Sequence, residues 1–160
     1  VEAFDLLPDN SKIPFIVLGR GNKYLLEVKQ LVQSKGLSKY FDFRENVENS
    51  ADLKAHIQAA SAMVYPSVYE GFGIPCVEAL FLKTPVITSN VSSLPEAAGA
   101  DSWLVDPTQA EGLKTAMLEV LESDQDVLDR VEKGFSHAQQ FRRKPVSDRL
   151  LQVYRKVLDH

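Results

Sequence analysis

Apolar residues recur along the chain in two rhythms, short continuous runs and longer stretches spaced as on one face of a helix. Residues 13–18 (IPFIVL) form a continuous run closed by Gly19, Arg20 and Gly21, which predicts a strand buried on both faces. Residues 24–35 place Leu25, Val28, Leu31 and Val32 at helical intervals, and Gly36 is set to end that helix. Residues 40–43 predict a second strand, residues 62–65 a third, and between them Ser50 or Asp52 can cap a helix carrying Leu53, Ile57 and Ala60. Upstream, residues 1–7 (VEAFDLL) read as the tail of a helix stopped by Pro8, as expected of a fragment. Downstream come a helix from Pro75 to about Phe81, a strand over residues 86–88, a helical turn at Leu94, Pro95 and Glu96, and a strand over residues 102–105 stopped by Asp106 and Pro107. Helices alone follow, over about residues 109–122, 127–141 and 146–158. This alternation predicts an α/β fold: one doubly wound parallel sheet with helices on both faces and further helices at the C-terminus.

In such sheets ligands bind off the carboxyl ends of the strands. The loops at Gly19 and Gly21, at Gly71 and Gly73, and the Ser/Asn loop from Ser89 all fall at that edge. The middle one lies within YPSVYEGFGIPCVEAL, residues 65–80, where Glu70 and Glu78 stand on either side of Gly71, Gly73 and Pro75. A strand, a glycine loop and a helix start present backbone N–H groups to an anion. Ile74 as N-cap offers no side-chain acceptor, so the first-turn donors are left for a ligand. Read from residue type alone, Glu70 is equally a solvated loop acid and Glu78 a partner of the helix dipole.

At 160 residues, with 44% hydrophobic and 25% charged positions, the chain has the size and composition of one soluble domain. A net charge of −4 without a Lys/Arg patch argues against a nucleic-acid partner. With no apolar run near the roughly 20 residues of a membrane span and no signal-like segment, a cytoplasmic setting is expected. Cys76, the sole cysteine, excludes an internal disulfide and a thiolate metal cluster; with no neighbouring His it reads as a buried structural thiol. His56, His137 and His160 lack metal-ligand spacing, and Asp124-Gln125-Asp126 reads as a capping turn between late helices. The run Arg142, Arg143 and Lys144 could touch an anionic membrane surface.

The segments PSVYEGFGIPCVEAL and TPVITSNVSSLPEAAGADSWLVDP, in order and at the right distance, resemble the C-terminal, donor-binding half of the retaining GT-B glycosyltransferases of group 1, or family 4. The resemblance runs from Val1 to the helices after Pro107 and implies a Rossmann-like domain. It implies metal-independent transfer of a sugar, with retention, from a nucleotide-diphosphate donor to an acceptor in polysaccharide or glycolipid assembly. By position, Glu70 would be the catalytic-site carboxylate contacting hydroxyls of the donor sugar, and Glu78 would hold the ribose. Gly71, Phe72, Gly73 and Ile74 would face the donor sugar and diphosphate, while Gly19, Arg20, Gly21 and the loop from Arg44 to Val47 would hold the base. The family carries a basic pair in a strand and loop before the helix seen here as VEAFDLL, and neither these nor the N-terminal acceptor domain are in this sequence. The isolated chain is therefore expected to be inactive, with the acceptor domain as its partner and membrane contact only through the full-length protein. The family's aromatic residue soon after Phe141 is replaced here by Arg142, Arg143 and Lys144. Two alternatives share the fold: a non-catalytic nucleotide-sugar-binding or scaffold domain, and a nucleotide-sugar epimerase.

Overall fold

The computed structural model describes residues 1–19, 21, 23–47 and 49–158, so Arg20 and His160 lie outside the described residues. The elements alternate as expected: α1 (Glu2–Asp5), β1 (Phe15–Leu18), α2 (Lys23–Ser34), β2 (Phe41–Arg44), α3 (Ser50–Ala59), β3 (Met63–Tyr65), α4 (Ile74–Phe81), β4 (Val86–Ser89), α5 (Leu94–Ala98) and β5 (Trp103–Val105). Then come α6 (Ala110–Glu122), α7 (Gln125–Ala138) and α8 (Arg143–Leu158), with single 3-10 turns at Asp9–Ser11 and Gln139–Phe141. Gly36 ends α2 with a φ of 69°, and the Leu37 N–H returns to the Val32 carbonyl. The cap of α3 is Asn49, not Ser50 or Asp52: its side chain accepts from the Asp52 N–H at 2.8 Å and its amide donates to the Asp52 carboxylate at 2.8 Å. Asp52, on the first turn, thus reaches back to the cap instead of being it. Asp124 caps α7 by accepting from the Val127 N–H at 3.0 Å, as its place between two helices predicts.

All strand pairs are parallel, but they form two sheets, β1-β2 and β3-β4-β5, rather than one. β1 is not buried on both faces either, for Ile16 is 41% exposed. Both differences have one cause. β1 and β3 do not pair with each other, and a cavity of about 810 Å³ takes in Phe15, Ile16 and Leu18 of one and Met63, Val64 and Tyr65 of the other.

Two apolar clusters hold the layers together. In the first, the Phe4 ring packs on Phe15, Tyr40 and Phe41 at centroid distances of 5.7, 5.6 and 5.0 Å, fixing α1 to the β1-β2 sheet. Ile87, Met117, Val120 and Trp103 extend it to β4, α6 and β5, where Trp103 lies 3.9 Å under the Arg130 guanidinium and donates to Glu119. The second cluster gathers Cys76, Ala79 and Leu80 of α4 against Val86, Leu94, Ala98 and Ala138. It seats α4, and with it the turn that precedes it. α8 buries none of its residues, and among the described residues no helix is long and apolar enough to cross a membrane.

Candidate functional site

The carboxyl ends of the strands carry the loops singled out above. Between β3 and α4 the chain turns through residues 66–73, and the N-cap is Gly73 rather than Ile74, with a φ of 105°. Entry into α4 needs a left-handed residue, which a β-branched isoleucine would adopt only with strain. A Cβ on Gly73 would also stand 2.8 Å from Leu94 Cδ2 and 3.2 Å from Ala97 Cβ. Gly73→Ala is therefore expected to destabilise the domain by about 1–3 kcal/mol, measured by urea unfolding. Since Gly73 has no side chain to cap with, and among the described residues no acceptor takes the N–H groups of Phe72, Gly73 and Ile74, the positive end of α4 opens on three free donors.

Glu70 is half-buried beside them and held on every side. The Tyr65 hydroxyl donates to its Oε2 at 2.7 Å and the Gly71 N–H to its Oε1 at 3.1 Å. The hydroxyls of Ser92 and Ser93 both donate to its carbonyl at 2.8 Å, and its N–H reaches Ser92 Oγ at 3.4 Å. Ser92 sits at a φ of 59°, a left-handed conformation costing roughly 1 kcal/mol that these bonds to Glu70 offset. Burial and then the bond to Glu70 push the Tyr65 phenol up to about 12, so it stays a donor throughout the neutral range. A carboxylate has about four acceptor positions; two are used, by Tyr65 and Gly71, and the rest are open.

Glu78 lies exposed on α4 and, with Pro75, Arg44 and His56, lines the cavity between the sheets. Arg44 closes β2, pairing with Asp42 at 2.8 Å and bonding the His56 ring, while its carbonyl accepts from the Gly19 N–H at 3.3 Å. Gly19, at a φ of 149°, and Arg44 are thus joined directly, with Val47 half-buried in the loop beyond and Gly21 packed against Leu25. The structure therefore makes two groupings: Glu70 with the glycine turn and the Ser92–Ser93 loop, and Glu78 with Arg44 across the cavity.

Sequence reasoning missed three supports. Tyr65 and the Ser92/Ser93 pair orient Glu70, and Phe141 packs edge-to-face on Phe72 at 5.3 Å, with His137 5.5 Å from Phe141. The paired serines ahead of LPE were the available signal for the second of these. Behind the turn, Cys76 is buried against Thr88, 3.6 Å from its hydroxyl, and burial raises its thiol pKa, which fits a structural thiol. At the end of β4, Ser89 Oγ is fully buried and has no hydrogen-bond partner among the described residues.

Residues 1–137 match the family model of the glycosyl transferases group 1. The chain is 30% identical to an O-antigen chain mannosyltransferase B of Escherichia coli, over 97% of this chain and 41% of that protein. Sucrose-phosphate synthase from Thermosynechococcus elongatus superposes with a TM-score of 0.75 at 25% identity, over 99% of this chain and 42% of that one. Anabaena HepE, solved in complex with UDP, superposes with a TM-score of 0.81 at 19% identity, a likeness of fold over 99% of this chain and 44% of that one. The chain spans less than half the length of each of these relatives.

Proposed function

Since this chain belongs to the glycosyl transferases group 1, we propose that it is the donor-binding half of an enzyme that moves a hexosyl group from a nucleotide-diphosphate sugar to an acceptor with retention of configuration. The observation that carries the reading is Glu70, fixed by Tyr65, Ser92 and Ser93 beside three free N–H groups at the start of α4. The N–H groups of Phe72, Gly73 and Ile74 bind the diphosphate and stabilise the negative charge that grows on it as the glycosidic bond breaks. Glu70 accepts from hydroxyls of the donor sugar, holding the anomeric carbon in place for transfer. Glu78 accepts from the ribose diol, and the loops of Gly19, Gly21, Arg44 and Val47 line the base. The reaction needs no metal in this scheme, since the helix start and cations outside this chain neutralise the diphosphate. The acceptor comes from the rest of the protein, and the 160 residues alone are inactive. UDP in the HepE complex supports a nucleotide-sugar donor. The E. coli O-antigen relative supports polysaccharide assembly, which we place at the cytoplasmic side of a membrane.

Titration of the 15N-labelled chain with GDP-mannose, UDP-glucose and ADP-glucose tests the reading. One of them is expected to shift the amides of residues 70–78. No shift there with any donor, in a chain that gives a dispersed folded spectrum and in the full-length protein alike, would leave a scaffold domain of the same fold.

A further inference from the structure

Three half-buried rings join the glycine turn to the end of α7, and none of them belongs to either core cluster. Phe72 packs edge-to-face on Phe141 at 5.3 Å and 81°, and Phe141 on His137 at 5.5 Å and 72°. His137 in turn reaches α5, its Nε2 lying 2.9 Å from the Glu96 carbonyl. A carbonyl can only accept, so Nε2 carries the ring proton, and Nδ1 is left to accept from the Gln140 amide at 3.2 Å. The ring sits close against Gly99, where a Cβ would stand 2.8, 2.9 and 3.0 Å from three of its atoms. The 3-10 turn that carries Phe141 is itself tied down. The Gln139 amide donates to the Phe135 carbonyl at 2.8 Å and Arg149 to the Gln140 carbonyl at 2.7 Å, and the Arg142 guanidinium lies 5.4 Å from the centre of the Phe81 ring.

Phe72 is the point at which this stack meets the site. Its neighbours Gly71 and Gly73 have no side chains, and Ile74 is 63% exposed. The Phe72 ring is therefore the side chain that tethers the segment bearing the free N–H groups of Phe72, Gly73 and Ile74, and its ring partner among the described residues is Phe141. With glycine on either side, that segment is costly to order, since glycine gives up more conformational freedom on folding than any other residue. Taking those N–H groups as the diphosphate site proposed above, we propose that Phe141 is a positioning residue for it. Phe141 anchors the Phe72 ring and so holds the three donors in place before a ligand arrives. His137 completes the arrangement. By bonding Glu96 it ties Phe141 to α5, whose first residue, Leu94, follows directly on the Ser92–Ser93 pair that holds Glu70. The diphosphate donors and the Glu70 carboxylate thus rest on one support. Ordering a site in advance raises affinity by removing that cost from the binding step. The residues matched to the family end at 137, four short of Phe141, so the match gives Phe141 no role. Because the stack lies outside both clusters, its removal should fall on the turn more than on the core.

Selective 15N labelling of glycine and phenylalanine in the full-length protein reads the turn directly, because Gly71, Phe72 and Gly73 are consecutive. Without ligand, Phe141→Ala is expected to lower the order parameters of these three amides from a rigid value of about 0.85 to below about 0.6, while Gly112 and Gly134 stay as they are. For whichever of GDP-mannose, UDP-glucose and ADP-glucose binds the wild type, the Kd should rise about 2- to 10-fold, the worth of one aromatic pair. Val127→Ala removes buried bulk at the far end of α7 and should lower the melting temperature without moving either readout. Amides as rigid in Phe141→Ala as in the wild type overturn the proposal. So does equal loosening by Val127→Ala, and so does loosening that leaves the donor Kd unchanged. Should Phe141→Ala fail to fold, Phe141→Leu, which keeps apolar bulk and loses the ring, is held to the same expectations. If none of the three donors binds the wild type, the reading of the diphosphate site falls, while the ligand-free amides still decide whether Phe141 orders the turn.

Discussion

Replacing Glu70 with glutamine in the full-length protein is expected to lower sugar transfer by about 10- to 100-fold while leaving the fold intact, the range set by roughly 1.5–3 kcal/mol for a hydrogen bond to a charged group. Glutamine preserves the length and shape of the side chain, and its carbonyl oxygen can still accept from the Tyr65 hydroxyl. What it loses is the charge and one acceptor, replaced by an NH2 group that cannot accept from a sugar hydroxyl. Tyr65→Phe should act on the same step more weakly, by about 3- to 10-fold, because it frees a carboxylate without removing it. The double variant should cost less than the two single losses multiplied, since both act through one side chain. Glu78→Gln should fall mainly on donor KM. Steady-state kinetics on the full-length protein reads all of these, and near-wild-type transfer in both glutamine variants would remove the proposed roles.

The largest loss of stability is expected from Leu94→Ala, about 2–5 kcal/mol by urea unfolding. Leu94 is 0% exposed in the cluster that seats α4, and its Cδ2 occupies the space a Cβ on Gly73 would need. The same contact separates the two costs of Gly73→Ala. Its clash with Leu94 disappears in the Leu94→Ala background, while the strain of a φ of 105° remains. A thermodynamic cycle over the two positions should therefore show favourable coupling between them. Additive losses would mean that backbone strain and the close approach to Ala97, not Leu94, make glycine necessary there.

The alternation of strand and helix, and the gathering of Gly19, Gly73 and the Ser92 loop at one edge, were legible because each follows from short-range spacing. The strand at residues 13–18 misled. Its apolar run is what a strand buried on both faces looks like, yet here one edge of β1 is bare and Ile16 is exposed. The cap of α3 was legible in kind but displaced, by one residue from Ser50 and three from Asp52: Asn49, Ser50 and Asp52 are all good cap residues, and only the hydrogen bonds choose among them. The hold of Ser92 and Ser93 on Glu70 was legible only in part: the paired serines stand out ahead of LPE, but they lie 22 and 23 residues away and nothing local ties them to its carbonyl.

Cys76 gives the turn a chemical clock. It is the only thiol in the chain, is fully buried, and sits in the first turn of α4, directly behind Gly73. A thiol reagent can reach its sulfur only when α4 lifts from its seat on Val86 and Leu94. The alkylation rate therefore counts openings of the helix that starts at Gly73, and any ligand that binds the free N–H groups at its N-terminus must slow it by closing the same door.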